Sequence, residues 1–179
     1  MPVGKLLALR PNQLPDLAAL DDGAKLDAID ALARLDDVDH LDTMRGLILL
    51  HSLFLESDAD ELSSAVMPSK LICEGDWGVA LLNDPDAVAQ LVPIVQSVDR
   101  AKLDEYEGTR AHAHGEQQVR ATSKPGLMQR LFGGGRSKTK VEPIVTGVNP
   151  TVWEMWVNIQ RFYEHAAHEK KAILATVIL

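Results

Sequence analysis

A chain of 179 residues, 46% hydrophobic and carrying a net charge of −8, has the composition of one soluble globular domain with a single good core. Its lone cysteine, Cys73, excludes an internal disulfide framework and suits a reducing compartment. No run approaches 18 apolar residues and the start, MPVGKLLALRPNQ, carries no cleavage pattern, so neither a membrane span nor a signal peptide is expected, and a bacterial-type cytoplasmic location is.

In chain order, GKLLALR (4–10) predicts a strand bounded by Pro11. Leu14, Leu17 and Leu20 suggest a short helix. A second helix is predicted over 24–35, with Leu26, Ile29 and Leu32 on one face and Asp22 as its cap. A third is predicted over 40–55, capped by Asp39, with Met44, Leu47, Ile48, His51 and Leu55 on one stripe. SKLIC (69–73) and WGVALLN (77–83) read as short strands. Asp84-Pro85 opens a helix, because a capping carboxylate precedes a proline at the first helical position. Pro93 should kink or break that helix, and Asp99 should cap another over 100–107. The Thr151-x-x-Glu154 capping box opens a long helix with Val152, Trp156, Ile159, Tyr163 and Ala166 on one face. AILATVIL at the end is apolar on both faces and reads as a central strand. These elements imply an α+β domain spanning 1–179: a small mixed sheet holding both terminal strands, packed against several helices.

Charge is unevenly spread. Residues 16–61 hold thirteen acids against Lys25, Arg34 and Arg45, a local balance of −10, whereas 110–140 holds seven basic residues against Glu116, a balance of +6. The basic stretch 109–140 lacks apolar periodicity and reads as a flexible loop or insertion. Its FGGGRSKTK (132–140) is not a phosphate loop. Ser137 and Phe132 stand where that motif needs glycines, and no apolar strand precedes it. With one aromatic in an acidic chain, no nucleic-acid role is expected of it.

Several segments resemble the YfbM-like family, a bacterial family of uncharacterised function. GKLLALRPNQLPDL is similar to the family's opening strand and helix, and LDTMRGLILLHSL to its LD-x-x-W-x-x-L-H segment, with Met44 where the family favours tryptophan. ELSSAV, WGVALLNDPDAVAQLVPIVQSVDRAKLDEYE and FYEHAAHEKKAILATVIL resemble its later segments. The resemblance implies an α+β fold over the whole chain and carries over no active site.

No catalytic motif assembles. His112-x-His114-x-Glu116 and the pair His165 and His168 match no known ligand spacing, so no metal and no cofactor are expected. Cys73 is followed by Glu74, whose charge raises a thiol pKa, and is expected to be structural. What remains is the acidic front: Asp36, Asp37, Asp39 and Asp42, then Asp58, Asp60 and Glu61, flanking one predicted helix. Crowded carboxylates steer cationic partners, so the expectation is a non-catalytic protein that engages a basic protein, for instance as an immunity-type inhibitor of a toxin. The alternative is a small-molecule-binding enzyme or sensor with a pocket near His51, Trp77 and Trp156.

Overall fold

The computed structural model describes residues 3–14, 19–44, 46–109 and 150–178. Among them β1 (Val3–Leu9), β2 (Asp39–Met44), β3 (Lys70–Gly75), β4 (Gly78–Asn83) and β5 (Ala172–Ile178) form one sheet in the order β2-β1-β5-β4-β3. The helices are α1 (Asp22–Leu32), α2 (Gly46–Glu56), α3 (Asp60–Val66), α4 (Pro85–Gln96), α5 (100–109) and α6 (Pro150–His168). The class is α+β, with both terminal strands in the sheet, as expected. The sheet anticipated as mixed is antiparallel at every pairing.

Alternation along the strands explains the layering. Leu6 and Ala8 of β1, with Ile173, Ala175 and Val177 of β5, face the layer built by α2 to α6. Leu7 and Leu9, with Ala172 and Leu174, face the other side, where α1 lays down Ile29 and Leu32. A strand covered on both faces must be apolar at every position, and β5 is: AILATVI is buried from Ala172 to Val177. It is the middle strand, as the sequence predicts. The turn joining β3 to β4 needs Gly78, which sits at φ 136° where a Cβ would run into the Val177 carbonyl.

Two caps form as predicted. The Asp84 carboxylate accepts from Ala87 N at 2.9 Å to start α4, and that of Asp99 from Lys102 N at 2.8 Å to start α5. The cap of α1 is Asp21, accepting from Ala24 N, rather than Asp22. α4 runs through Pro93 to Gln96 without a break. Pro93 and Ala89, whose carbonyl loses its donor, are both exposed, so water can replace the missing bond. α6 begins at Pro150, which places Thr151 inside its first turn rather than at the cap.

The helix predicted over 40–55 is the main correction. Its first part is strand β2, and the helix starts at Gly46. Within DHLDTM, Leu41 packs on the helical layer and Thr43 is buried, while His40 and Asp42 are exposed, a period of two. Aspartates are poor strand formers, and Leu47 and Ile48 extend a helical period backward into the strand. Asp39 therefore starts a strand and caps no helix. The short helix expected over 14–20 falls partly on residues 15–18, outside the described residues. So does the basic loop from residue 110 onward.

Candidate anionic binding site

The structure divides the seven expected carboxylates into two groups. Asp36 and Asp37 lie in the turn after α1, and Asp39 and Asp42 on β2. Three of these four have cations of the same chain in reach. Asp37 accepts from Gln13 Nε2 at 2.7 Å and lies 3.8 Å from Arg10. Asp42 faces Lys5 across the strand pair, at 3.9 Å. Asp39 Oδ2 accepts from Lys171 Nζ at 2.8 Å and lies 3.2 Å from His165 Nε2. Three residues apart on one strand, Asp39 and Asp42 also leave opposite faces of the sheet. Of the acidic front expected over 36–42 and 58–61, these residues are the part with cations of the same chain in reach.

Lys171 reaches Asp39 because of how α6 ends. Lys170 adopts φ 54°, its N–H donates to the Ala167 carbonyl, and that of Lys171 donates to Ala166 at 2.8 Å. This left-handed ending turns the chain sharply into β5 and brings the buried Lys171 under β2. The Lys171 ammonium, hydrogen-bonded to Asp39, holds its carboxyl below the ordinary carboxylate range against the opposing effect of burial.

The second group behaves differently. α2 ends in the same kind of turn: Asp58 takes φ 54°, its N–H donates to Leu55 and that of Ala59 to Phe54 at 2.9 Å. Asp58 is thereby presented at a corner, and Asp60 and Glu61 follow in the first turn of α3. Asp58 and Glu61 face Asp99 and Glu105 across a groove of about 690 Å³ between α3 and α5. Leu62, Ile94, Val98 and Tyr106 are among its apolar lining residues. Among the described residues lining it Lys102 is the one cation, and it already donates to Glu105 Oε2 at 2.9 Å, 5.2 Å from the Tyr106 ring centroid.

The groove is held from below. Tyr106 stacks edge-on against Phe54 at 5.7 Å between centroids. Ser57 Oγ donates to the Tyr106 carbonyl at 3.5 Å. The corner at Val98 is pinned by α6, whose Trp156 Nε1 and Gln160 Nε2 donate to the Val98 carbonyl at 3.2 and 2.9 Å. Asp99, Lys102, Glu105, Tyr106 and Gln160 are the site residues that sequence reasoning missed. Gln160 is one polar position on an amphipathic helix, and its partner is 62 residues away.

His51, Trp77 and Trp156 are not brought together. Trp156 is fully buried and stacks on Phe54 at 5.2 Å. Trp77 packs on the opposite side of the sheet, beside the α1 cluster. His51 is half-buried on α2, with Ser63 Oγ 2.8 Å from its Nδ1. None of the three lines the groove. Cys73 is buried. His165 belongs to the Asp39 cluster and His168 to an exposed contact with Glu169, while His112 and His114 lie outside the described residues. Among the described residues no group of three His, Cys, Asp or Glu could hold a metal, and no helix is long and apolar enough to cross a membrane.

The whole chain is similar to a solved structure from Escherichia coli, the protein of unknown function YfbM. The TM-score is 0.53 and the identity 18%, over 99% of each chain. At that identity the likeness shows the fold alone, which is YfbM-like. No family model matches the sequence, and no curated protein matches it.

Proposed function

We propose that this protein is a non-catalytic binding protein of the YfbM-like family, and that its anionic groove receives a basic segment of a partner protein. An immunity-type inhibitor covering the cationic site of a toxin is the specific form this reading takes. The observation that carries it is the groove's charge arrangement. Asp58, Glu61, Asp99 and Glu105 line one concavity together with apolar side chains, and among the described residues lining it Lys102 is the one cation, hydrogen-bonded to Glu105. Desolvated apolar contact supplies affinity, while carboxylates at the rim steer a cationic partner and fix its orientation. At β2, by contrast, the carboxylates face cations of their own chain and have less charge left to offer.

Two variants with the same change in net charge test the reading. Asp58→Lys with Glu61→Lys should lose retention on immobilised polylysine at moderate salt, whereas Asp36→Lys with Asp42→Lys should keep most of it. Equal losses from both would mean that overall charge alone governs retention, and the groove would have no special standing.

A further inference from the structure

The geometry points to a more particular occupant: we propose that the groove takes a basic amphipathic helix, and that Lys102 is an internal competitor for the position of one of its lysines. This rests on the reading above and sharpens it in two steps.

The first concerns the backbone of the occupant. Every residue around the groove belongs to a helix or to a turn between helices, from Asp58 to Leu62 on one side and from Ile94 to Tyr106 on the other. Among the described residues no strand lines it. An extended segment laid in the groove would find no row of main-chain N–H and C=O groups to pair with, and burying its own unpaired groups is costly. A helix brings its backbone bonds already made and offers side chains alone. Leucine-type residues would meet Leu62, Ile94, Val98 and Tyr106, and lysines on the flanks of the same helix would meet Asp58, Glu61 and Asp99.

The second step concerns Lys102. Its ammonium sits against the Glu105 carboxylate at 2.9 Å and near the Tyr106 face at 5.2 Å. Carboxylate and ring face together form a place suited to an incoming lysine, since both attract an ammonium. Glu105, first by its hydrogen bond and then by its charge, raises the Lys102 pKa, so the side chain stays charged. The pair is exposed and only three residues apart, an arrangement that contributes little to stability and is readily exchanged. Lys102 can therefore swing out when a better-anchored cation arrives. While it stays, it neutralises Glu105 and raises the threshold for binding, so that weakly basic helices are refused.

The test is fluorescence anisotropy with a fluorescein-labelled leucine–lysine peptide, long enough to be helical at about 18 residues. A second peptide has the same composition but scrambled spacing. Lys102→Met should bind the helical peptide roughly threefold tighter than the wild type, because a competitor is gone and the groove is more negative. Glu61→Gln should bind it more weakly, and raising salt should weaken all of them. Thermal melts of both variants should match the wild type, since both side chains are exposed. Binding that is unchanged or weaker in Lys102→Met would overturn the competitor role and leave the groove itself standing. Equal binding of the scrambled peptide would overturn the helical occupant. Absence of binding by wild type and Lys102→Met alike at low salt would remove the groove as a docking site, and the proposed function with it.

Discussion

Residues 36–42 and residues 58–61 look alike as sequence and differ as surface. Both are short runs dense in aspartate, and both belong to the acidic front of the chain. In the first, Lys5 of β1, Arg10 just after it and Lys171 just before β5 stand beside Asp42, Asp37 and Asp39, so much of the charge is answered within the chain. In the second, the left-handed turn at Asp58 leads into α3 so that Asp58 and Glu61, though not Asp60, line a groove where Lys102 is the one cation among the described residues. Density of charge along the chain therefore does not measure the charge offered to a partner. What decides is whether distant elements bring counter-charges to the same place.

The sharpest way to break the comparison is to remove Asp39. Lys171 is nearly enclosed, whereas Asp39 is 44% exposed. Asp39→Ala should leave a buried ammonium with no described partner and cost about 2 kcal/mol, discounted for the solvent that screens the Asp39 side. That corresponds to a fall in melting temperature of roughly 4–8 °C for a chain of this size. Lys171→Met should cost far less, within about 1 kcal/mol, because the stranded carboxylate can turn to water while the new side chain packs. Equal losses from the two would show that the ion pair is worth the same from either end and that burial of Lys171 does not matter. Peptide binding at the groove should change in neither.

A pH titration sharpens the same contrast. Pairing lowers the folded-state pKa of Asp39 below its ordinary 3.8, so its contribution is complete above that value and is lost as pH falls through the folded one. As the pH falls below 3.8 and through the lowered folded-state value, the wild type should lose its margin over Asp39→Ala, as followed by denaturant melts at each pH. A margin that does not shrink as the pH falls below 3.8 would place the stabilisation elsewhere.

Much of the fold was legible because it is local. The Asp84-Pro85 cap, the Asp99 cap, the buried stripe Trp156, Ile159, Tyr163 and Ala166, and the doubly apolar β5 each follow from residues within a few positions of one another. β2 was not legible, because its pattern is short, weakened by two aspartates and run together with the period of α2. The groove was legible only in part. Asp58 and Glu61 stood out as charge, but Asp99 read as a cap and Tyr106 as nothing in particular. Only the packing of Tyr106 on Phe54, and of Trp156 and Gln160 against the corner at Val98, places them opposite one another. The sheet between Trp77 and Trp156, which were expected near one pocket with His51, is likewise not visible in the sequence.

The smallest expected effect on stability is also the most discriminating. Asp58 stands at φ 54°, at a helix-ending position where glycine carries no steric penalty. Aspartate tolerates that conformation better than most residues, yet Asp58→Gly should still raise stability by about 0.5 kcal/mol, a shift of one to two degrees in melting temperature. Lys170→Gly is the companion, since Lys170 has the same φ and the same pattern of main-chain bonds at the end of α6 but stands at the paired cluster. It should raise stability by a similar or larger amount, because lysine lacks aspartate's ease in that region. The two variants part company in binding. Asp58→Gly removes a rim carboxylate and should weaken the leucine–lysine peptide, while Lys170→Gly, beside the Asp39 cluster, should leave it unchanged. A non-glycine residue held in a strained conformation where glycine would be more stable, and whose replacement costs binding, is what a site kept for interaction requires. If Asp58→Gly is more stable and binds just as well, Asp58 is only a tolerated turn residue, and the distinction between the two acidic regions then rests on Glu61, Asp99 and Glu105 alone.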